Sequence, residues 1–196
     1  MTLTAKGQAT RHRIIEGAAT HLRSDAPGSM TLDDVLATTH TSKGQLFHYF
    51  PGGREELLLE VARTEAQRVL DDQQPHLDEL DSWQSWDDWR DTVIARYRAQ
   101  GSNCPMSALM HQVGEVPGAH EVIQVLFAQW RDRVRRGVVT MQEKGLIGPR
   151  IDADRESSAI IAGIQGGVLV LRSTGEIRHL EAVLDTLIDH LRSSAD

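Results

Sequence analysis

Residues 31–58, TLDDVLATTHTSKGQLFHYFPGGREELL, carry the most specific structural signals of the chain. Thr31 followed three residues later by Asp34 is a capping box, which predicts the start of a short helix. A run of poor helix formers then interrupts the pattern, and Ser42 with Gln45 predicts the cap of a second short helix. Two short helices joined by a tight turn are typical of a helix-turn-helix.

The second short helix separates polar from apolar side chains. Its outward positions at helical spacing are Lys43, Gln45 and His48, and its inward positions are Leu46, Phe47 and Phe50. A short helix that displays hydrogen-bonding groups above an apolar platform has the features of a DNA-recognition helix.

The run from Thr41 to Leu57, TSKGQLFHYFPGGREEL, resembles the recognition-helix signature of the TetR family of transcriptional regulators. It departs from that signature at three positions. His40 stands where the turn usually has Gly, Thr41 replaces an apolar residue, and Phe47 replaces the usual Tyr. The phenol-to-phosphate hydrogen bond that is common in the family therefore cannot form at Phe47.

The resemblance implies an all-α fold with an N-terminal three-helix helix-turn-helix head and a C-terminal helical domain for ligand binding and dimerisation. We expect the head in residues 1–54 and the second domain in residues 55–196, joined without a flexible linker. A second short run, Cys104-Pro-Met106, is similar to a multidrug-responsive subgroup of the family.

Helical periodicity and breaker residues extend this interpretation to the whole chain, in which no alternating strand pattern occurs. The predicted helices, about nine in number, cover residues 6–24, 31–37, 42–50, 54–74, 78–101, 106–114, 119–144, 152–173 and 176–193.

The charge of the chain is uneven. The formal net charge is −7, yet residues 1–54 hold six Lys/Arg against four Asp/Glu, whereas the remainder holds 15 against 24. A basic head on an acidic body suits a protein that touches DNA at one end. Cys104 is the single cysteine, so no internal disulfide can form, and we expect a cytoplasmic protein without a membrane span.

The head offers candidates for reading and gripping DNA. Gln45 can pair with adenine in the major groove, or it can cap Ser42 instead. Lys43 suits a phosphate or a guanine, and Gly44 lets the backbone approach closely. The resemblance implies that Thr31, Ser42, His48 and Arg54 anchor the DNA backbone, while Phe47 is a core or apolar contact.

The last two predicted helices carry two apolar faces, one of small residues and one of leucines. Their positions are Ala159, Gly163, Gly166, Gly167 and Val170, followed by Leu180, Leu184, Leu187, Ile188 and Leu191. Such stripes predict either a four-helix bundle with a second copy or packing within one chain. The resemblance favours the homodimer, which would read a pseudo-palindromic operator in double-stranded DNA.

The resemblance also implies an effector cavity among the middle helices. Its expected lining is Trp86, Trp89, Met106, Met110, His111, Phe127, Trp130 and Gln165, with ordinary core as the alternative for each. Aromatic walls would suit a flat or cationic hydrophobic effector.

No catalytic signature or metal-ligand spacing occurs, so we expect neither an enzyme nor a cofactor. We expect the regulator to be a repressor that its ligand releases from DNA. One alternative function from another class of protein stays open. The acidic net charge and the three departures from the signature would also suit a helical ligand-binding or scaffold protein with a vestigial head. Salt-dependent binding to a specific duplex separates the two.

Overall fold

The computed structural model describes residues 3–23, 31–101 and 116–194, and these ranges contain helices and no strand. The helices are α1 (Ala5–Arg23), α2 (Leu32–Thr39), α3 (Lys43–Tyr49), α4 (Gly53–Asp71), α5 (Trp83–Gln100), α6 (Ala119–Glu143), α7 (Ala153–Thr174) and α8 (Arg178–Arg192), with a 3-10 turn at His76–Asp78. The predicted all-α fold with its N-terminal helix-turn-helix is confirmed. The short helix predicted over residues 106–114 lies outside the described residues.

The described residues form two compact units. The first contains everything up to Arg68 together with Val116–Ile123, and the second contains the rest, so α4 and α6 each contribute to both. The functional boundary placed at residue 54 stays a prediction. No helix in the described ranges is both long and apolar enough to cross a membrane.

The core of the first unit is apolar and holds the helix-turn-helix in place. Its fully buried members include Ile14 and Ala18 of α1, Val35 of α2, Leu46 of α3 and Leu57, Leu58 and Val61 of α4. α1 and α2 approach very closely, because a Cβ at Gly17 would lie only 2.2 Å from Cγ2 of Thr39. The head is therefore one packed body rather than a string of separate helices.

Both predicted capping boxes of the helix-turn-helix are present. The Thr31 side chain accepts from the backbone N–H of Asp34, and Ser42 does the same for Gln45. The Thr31 hydrogen bonds lower the pKa of the fully exposed Asp34 carboxyl, the side-chain bond more than the backbone one. These caps satisfy N–H groups that a helix start leaves unpaired, so they fix where α2 and α3 begin.

The start of α5 corrects the prediction. The sequence pattern placed this helix from residue 78, whereas the structure has the 3-10 turn His76–Asp78 and begins α5 at Trp83. The reason is the cap, because Ser82 is extended and its hydroxyl accepts from the backbone N–H of Ser85. Ser85 completes the capping box, since its hydroxyl accepts from the backbone N–H of Ser82.

α7 and α8 pack tightly against one another within the second unit. A Cβ at Gly163 would lie 2.9 Å from side-chain atoms of Leu187 and Val183, and one at Gly167 would lie 2.8 Å from Cα of Leu180. These two glycines therefore serve a close approach inside the chain. Leu184, with Leu180, is fully buried in this pair.

Candidate functional site

α3 carries the surface that the sequence assigned to DNA. Ser42, Lys43, Gly44, Gln45 and His48 are all exposed. On the opposite side of the helix, Leu46 is 1% exposed, and Phe50 just after the helix is fully buried. The core holds one face of α3, and the other face is left to solvent.

The amide of Gln45 already has a partner within the head. Its Oε1 accepts from the backbone N–H of Ser42 at 3.1 Å, which completes the capping box. The amide nitrogen remains available as a donor, but a bidentate pair with adenine also requires Oε1 as an acceptor. An amide oxygen can accept two hydrogen bonds, so the cap leaves Oε1 one further acceptor position and restricts the direction from which a base can approach Gln45.

Phe47 points outward, which corrects the inward position that helical spacing suggested. Its side chain is 40% exposed, and its Cε1 lies 3.4 Å from where a Cβ at Gly53 would stand. Gly53, the first residue of α4, has a φ of 66° and lies against the edge of the phenyl ring. An exposed aromatic ring beside His48 gives this end of α3 an apolar contact instead of the phenol of the usual Tyr.

The turn between α2 and α3 accommodates His40 and Thr41, the two residues there that depart from the family signature. His40 adopts the left-handed conformation at φ 50° and ψ 42°, a region that His enters more readily than bulky apolar residues do. Thr41 is buried, and its hydroxyl donates to the carbonyl of Thr39 at 3.3 Å. The Thr39 hydroxyl in turn donates to the carbonyl of Val35 at 2.7 Å. Since these buried hydroxyls are hydrogen-bonded, the departures from the signature leave the turn intact.

An ion-pair cluster ties α1 to α4 beneath the helix-turn-helix. Glu60 accepts hydrogen bonds from Arg11 and Arg63. Burial by itself would raise the pKa of the Glu60 carboxyl, but these two arginines outweigh burial and hold it below its ordinary value of 4.5. Arg11 also lies over the Phe50 ring at 5.3 Å. Arg11 is thus engaged in the fold of the head rather than presented to a phosphate.

A second ion-pair cluster between α1 and α4 lies further along α4. Arg68 donates to Glu16 of α1 and, at 2.7 Å, to Glu65, whose side chain is almost fully buried. The hydrogen bond from Arg68 to Glu16 is the largest cause of the raised pKa of the guanidinium, ahead of the opposing effect of burial. Together the two clusters hold α1 and α4 in one register.

In the second unit, the three predicted tryptophans differ in whether the indole N–H has a hydrogen-bond partner. Trp86, Trp89 and Trp130 are all buried, and Trp86 packs edge-on against Trp89 with ring centroids 5.8 Å apart. Nε1 of Trp89 donates to Gln73 at 2.9 Å. No hydrogen-bond partner of Nε1 of Trp86 or of Trp130 occurs within the ranges that the structure describes.

Comparison with known proteins decides the family. Residues 83–187, more than half of the chain, match the family model described as "Tetracyclin repressor-like, C-terminal domain". This chain belongs to the TetR family. A relative in Mycobacterium tuberculosis, described as an uncharacterized HTH-type transcriptional regulator, is 26% identical over 194 residues and is matched over 90% of this chain and 91% of its own length.

Solved structures share the fold of this TetR-family regulator. A transcriptional regulator of the TetR family from Cytophaga hutchinsonii superposes with a TM-score of 0.79 at 16% identity, over 98% of each chain. A TetR transcriptional regulator from Chloroflexus aurantiacus gives 0.78 at 23% identity, over 95% of this chain and 96% of that one. TetR regulators bind operator DNA as homodimers with small-molecule effectors and are not enzymes.

The remaining predicted site residues of this TetR-family regulator fall into three groups. In the head, Thr31 is exposed and Arg54 is half-buried at the start of α4. In the second unit, Phe127 and Gln165 are half-buried. Three predicted effector residues, Met106, Met110 and His111, lie outside the described residues. The DNA and effector roles of all these residues stay predictions.

The predicted dimer residues of α7 and α8 differ in exposure. Gly166 is exposed, and Ala159, Gly163, Val170 and Leu187 are half-buried; Gly167, Leu180, Leu184, Ile188 and Leu191 are buried within the single chain. The buried residues have a role inside the chain, and their contact with a second copy stays a prediction.

The sequence interpretation missed part of the exposed face of α7. Ala162, Leu169 and Ser173 share that face with Gly166, and Leu169 is 63% exposed. A step of four, three and four residues connects these positions, which is the helical repeat. The helical repeat of these four positions is present in the sequence. It was overlooked because the neighbouring buried face of α7 carries larger apolar side chains.

Proposed function

We propose that this TetR-family regulator is a homodimeric repressor that binds a pseudo-palindromic operator and is released from it by a small hydrophobic effector. The observation that carries the proposal is α3, a capped helix whose inner face is held by the core while Lys43, Gly44 and Gln45 stay exposed. A regulator that reads operator DNA acts where the DNA is, so we place it in the cytoplasm.

Reading of the operator falls to the first turn of α3. The amide nitrogen of Gln45 donates to a base edge, and Lys43 reaches a phosphate or a guanine. Thr31, Ser42, His48 and Arg54 hold the DNA backbone, and such contacts set register without reading sequence. Two copies of α3 in a dimer bind half-sites about 34 Å apart or a multiple of that distance.

The second copy docks on the exposed face of α7. Leu169 is the most exposed large apolar side chain of the described residues, and Ala162 and Gly166 beside it leave room for a helix to approach. A solvent-exposed Leu costs hydration free energy that burial in a dimer recovers. Gly163 and Gly167, where α8 packs, lie on a neighbouring face of α7 and not on this one.

The Leu169→Glu variant tests this dimer face by analytical ultracentrifugation. We expect the sedimentation mass to fall from that of a dimer to that of a monomer. Val125 is the matched control, because it is an exposed aliphatic side chain, 48% accessible, on α6. Val125→Glu should leave the mass unchanged. A Leu169→Glu protein that stays dimeric would exclude this part of α7 from the interface.

Release by effector is a coupling between two states. α4 contributes residues to both units, so a change of its position is the simplest connection between an effector in the second unit and α3 in the first. The effector weakens DNA binding only by as much as it prefers the state with separated heads.

Selection from a pool of random duplexes tests the proposed function. We expect the wild-type chain to enrich sequences with two inverted half-sites at a fixed spacing. Gln45→Ala should relax base preference at one position of each half-site, with a discrimination loss of about 1–3 kcal/mol. Failure to enrich any sequence above the starting pool would favour the rival interpretation, a ligand-binding protein with a vestigial head.

A further inference from the structure

A cleft lies between the connection that follows α4 and the middle of α6. Its volume is about 250 Å³, and all the residues that line it belong to the second unit. Leu77 and Leu80 of the connection line the cleft and are buried, so they form its apolar floor. Pockets for drug-sized molecules measure about 300–1,000 Å³, so this cleft suits a smaller ligand.

Two contacts fix the shape of the cleft. A Cβ at Gly137 of α6 would lie 2.5 Å from Cβ of Leu80, so the helix and the connection are in direct contact. Nζ of Lys144 donates to the carbonyl of Asp81 at 2.8 Å and to its carboxylate at 2.7 Å. The walls are therefore held together by the chain itself, and a ligand does not have to order them first.

Two arginines of α6 line the cleft with unused hydrogen-bonding capacity. Arg133 approaches Asp78 through Nε at 3.6 Å, and Arg136 approaches Asp132 through Nε at 3.4 Å. Both distances exceed the roughly 2.7–2.9 Å of a strong charge-assisted hydrogen bond, which Arg90 of α5 does reach with a carboxylate at 2.8 Å. The Nη atoms of the two α6 arginines make no hydrogen bond to the part of the chain that the structure describes.

The charges of the lining decide what kind of small molecule fits. Arg133 and Arg136 are its cations, Asp78 and Asp81 are its anions, and their formal charges cancel. A simple carboxylate would be attracted by the arginines but repelled by the aspartates, and a simple amine would meet the reverse. A zwitterion is attracted by both. In an α-amino acid the ammonium and carboxylate groups share one carbon, so they match a cation and an anion that lie side by side, as Arg133 and Asp78 do.

We propose that this cleft binds a free α-amino acid with an apolar side chain, for which leucine is the probe. The carboxylate of the amino acid accepts from the Nη groups of Arg133 and Arg136, and its ammonium donates to Asp78. Its side chain lies on the apolar floor formed by Leu77 and Leu80. The site is separate from the tryptophans of the predicted effector cavity, and the inference goes beyond the proposed function without depending on it.

Matched probes test the requirement for both charges. L-Leucine, 4-methylpentanoate and 3-methylbutylamine carry the same branched apolar group, but the second lacks the ammonium and the third lacks the carboxylate. We expect leucine to bind about tenfold more tightly than either in isothermal titration calorimetry, since each analogue loses one set of charge-assisted hydrogen bonds. Glycine keeps both charges, but it should bind more weakly than leucine because it buries no side chain on the floor.

Nitrogen-proton NMR of the arginine side chains identifies the atoms involved. Leucine should move the Nε–H signals of Arg133 and Arg136, whereas the signal of Arg90, whose Nε already donates to a carboxylate at 2.8 Å, should stay in place. Arg133→Gln and Asp78→Asn should each lower leucine affinity about tenfold. The matched controls are Arg131→Gln and Glu143→Gln, because both residues are exposed on α6 outside the lining, and they should keep the affinity.

The results separate this inference from the proposed function. No binding of leucine, equal binding of the three branched compounds, or unmoved signals of Arg133 and Arg136 would each overturn the inference. Leucine binding that survives both Arg133→Gln and Asp78→Asn would overturn it as well. These titrations contain no DNA, and operator selection contains no added amino acid. A chain that enriches an operator but ignores leucine therefore loses only the inference.

Discussion

Gly44→Ala separates the stability of the head from its contact with DNA. Gly44 is the second residue of α3 and is exposed, and a Cβ built on it meets no atom within 4 Å. Its φ is not in the left-handed range, so Ala enters without strain. The folded chain by itself gives no reason for a glycine at this position, whereas a DNA backbone lying against α3 would.

The two expected effects have opposite signs. Ala is favoured over Gly in a helix by about 0.5–1 kcal/mol, so the free energy of unfolding should rise by that amount. For a chain of this size the midpoint temperature should then rise by about 1–4 °C. If the backbone at Gly44 closely approaches DNA, the added methyl group pushes α3 away, and we expect operator affinity to fall about tenfold or more, which equals about 1.4 kcal/mol.

The assay combines thermal unfolding by circular dichroism with fluorescence anisotropy on a labelled operator duplex. Thr20→Ala is the matched control, because Thr20 is an exposed residue of α1 whose replacement also raises helix propensity. The control should gain stability and keep its operator affinity. A Gly44→Ala protein with unchanged affinity would refute close backbone contact at this position, and one with lower stability would refute the assignment of free space around it.

Three further predictions concern the head. Gln45→Glu keeps an acceptor for the Ser42 cap but loses the amide donors, so thermal stability should hold while operator affinity falls; a loss of stability without a loss of affinity would make Gln45 a cap only. Gly17→Ala collides with Thr39 and should lower the free energy of unfolding by about 1–3 kcal/mol in urea titration; an unchanged midpoint would contradict that packing. Because its arginine partners lower the pKa of Glu60, that carboxylate stabilises the folded chain above pH 4.5 and ceases to do so as pH falls through the lowered pKa. Glu60→Gln should therefore cost about 1 kcal/mol at neutral pH and almost nothing in acid, and an equal cost at both would contradict the ion-pair account.

Local signals predicted the head well. The two capping boxes involve residues only three positions apart, so sequence alone places Ser42 and Thr31 at helix starts. The capping role of Gln45 was also foreseeable, because an amide at the third position of a capped helix can bond back to the cap residue. The direction of Phe47 was not, since a seven-residue helix has too few turns to fix its buried face from spacing, and the contact with Gly53 comes from the next helix.

In the second unit, the sequence could not predict which helices pack against one another over long range. The apolar stripe of Leu180 and Leu184 suits a partner in the same chain as well as one in a second copy, and periodicity cannot distinguish them. The glycines Gly163 and Gly167 settle the intrachain contact only once the distances to α8 are known. Likewise, the sequence shows four tryptophans, but it cannot show that Trp89 donates to Gln73.

Operator reading by the dimer is best measured by an anisotropy titration with the duplex most enriched in the selection. It should be run at near-physiological salt with a scrambled duplex as competitor. We expect tight binding that the scrambled duplex cannot displace and that weakens as salt rises. Weak binding, equal for both duplexes, would contradict an operator-reading head and leave a helical ligand-binding protein as the better description.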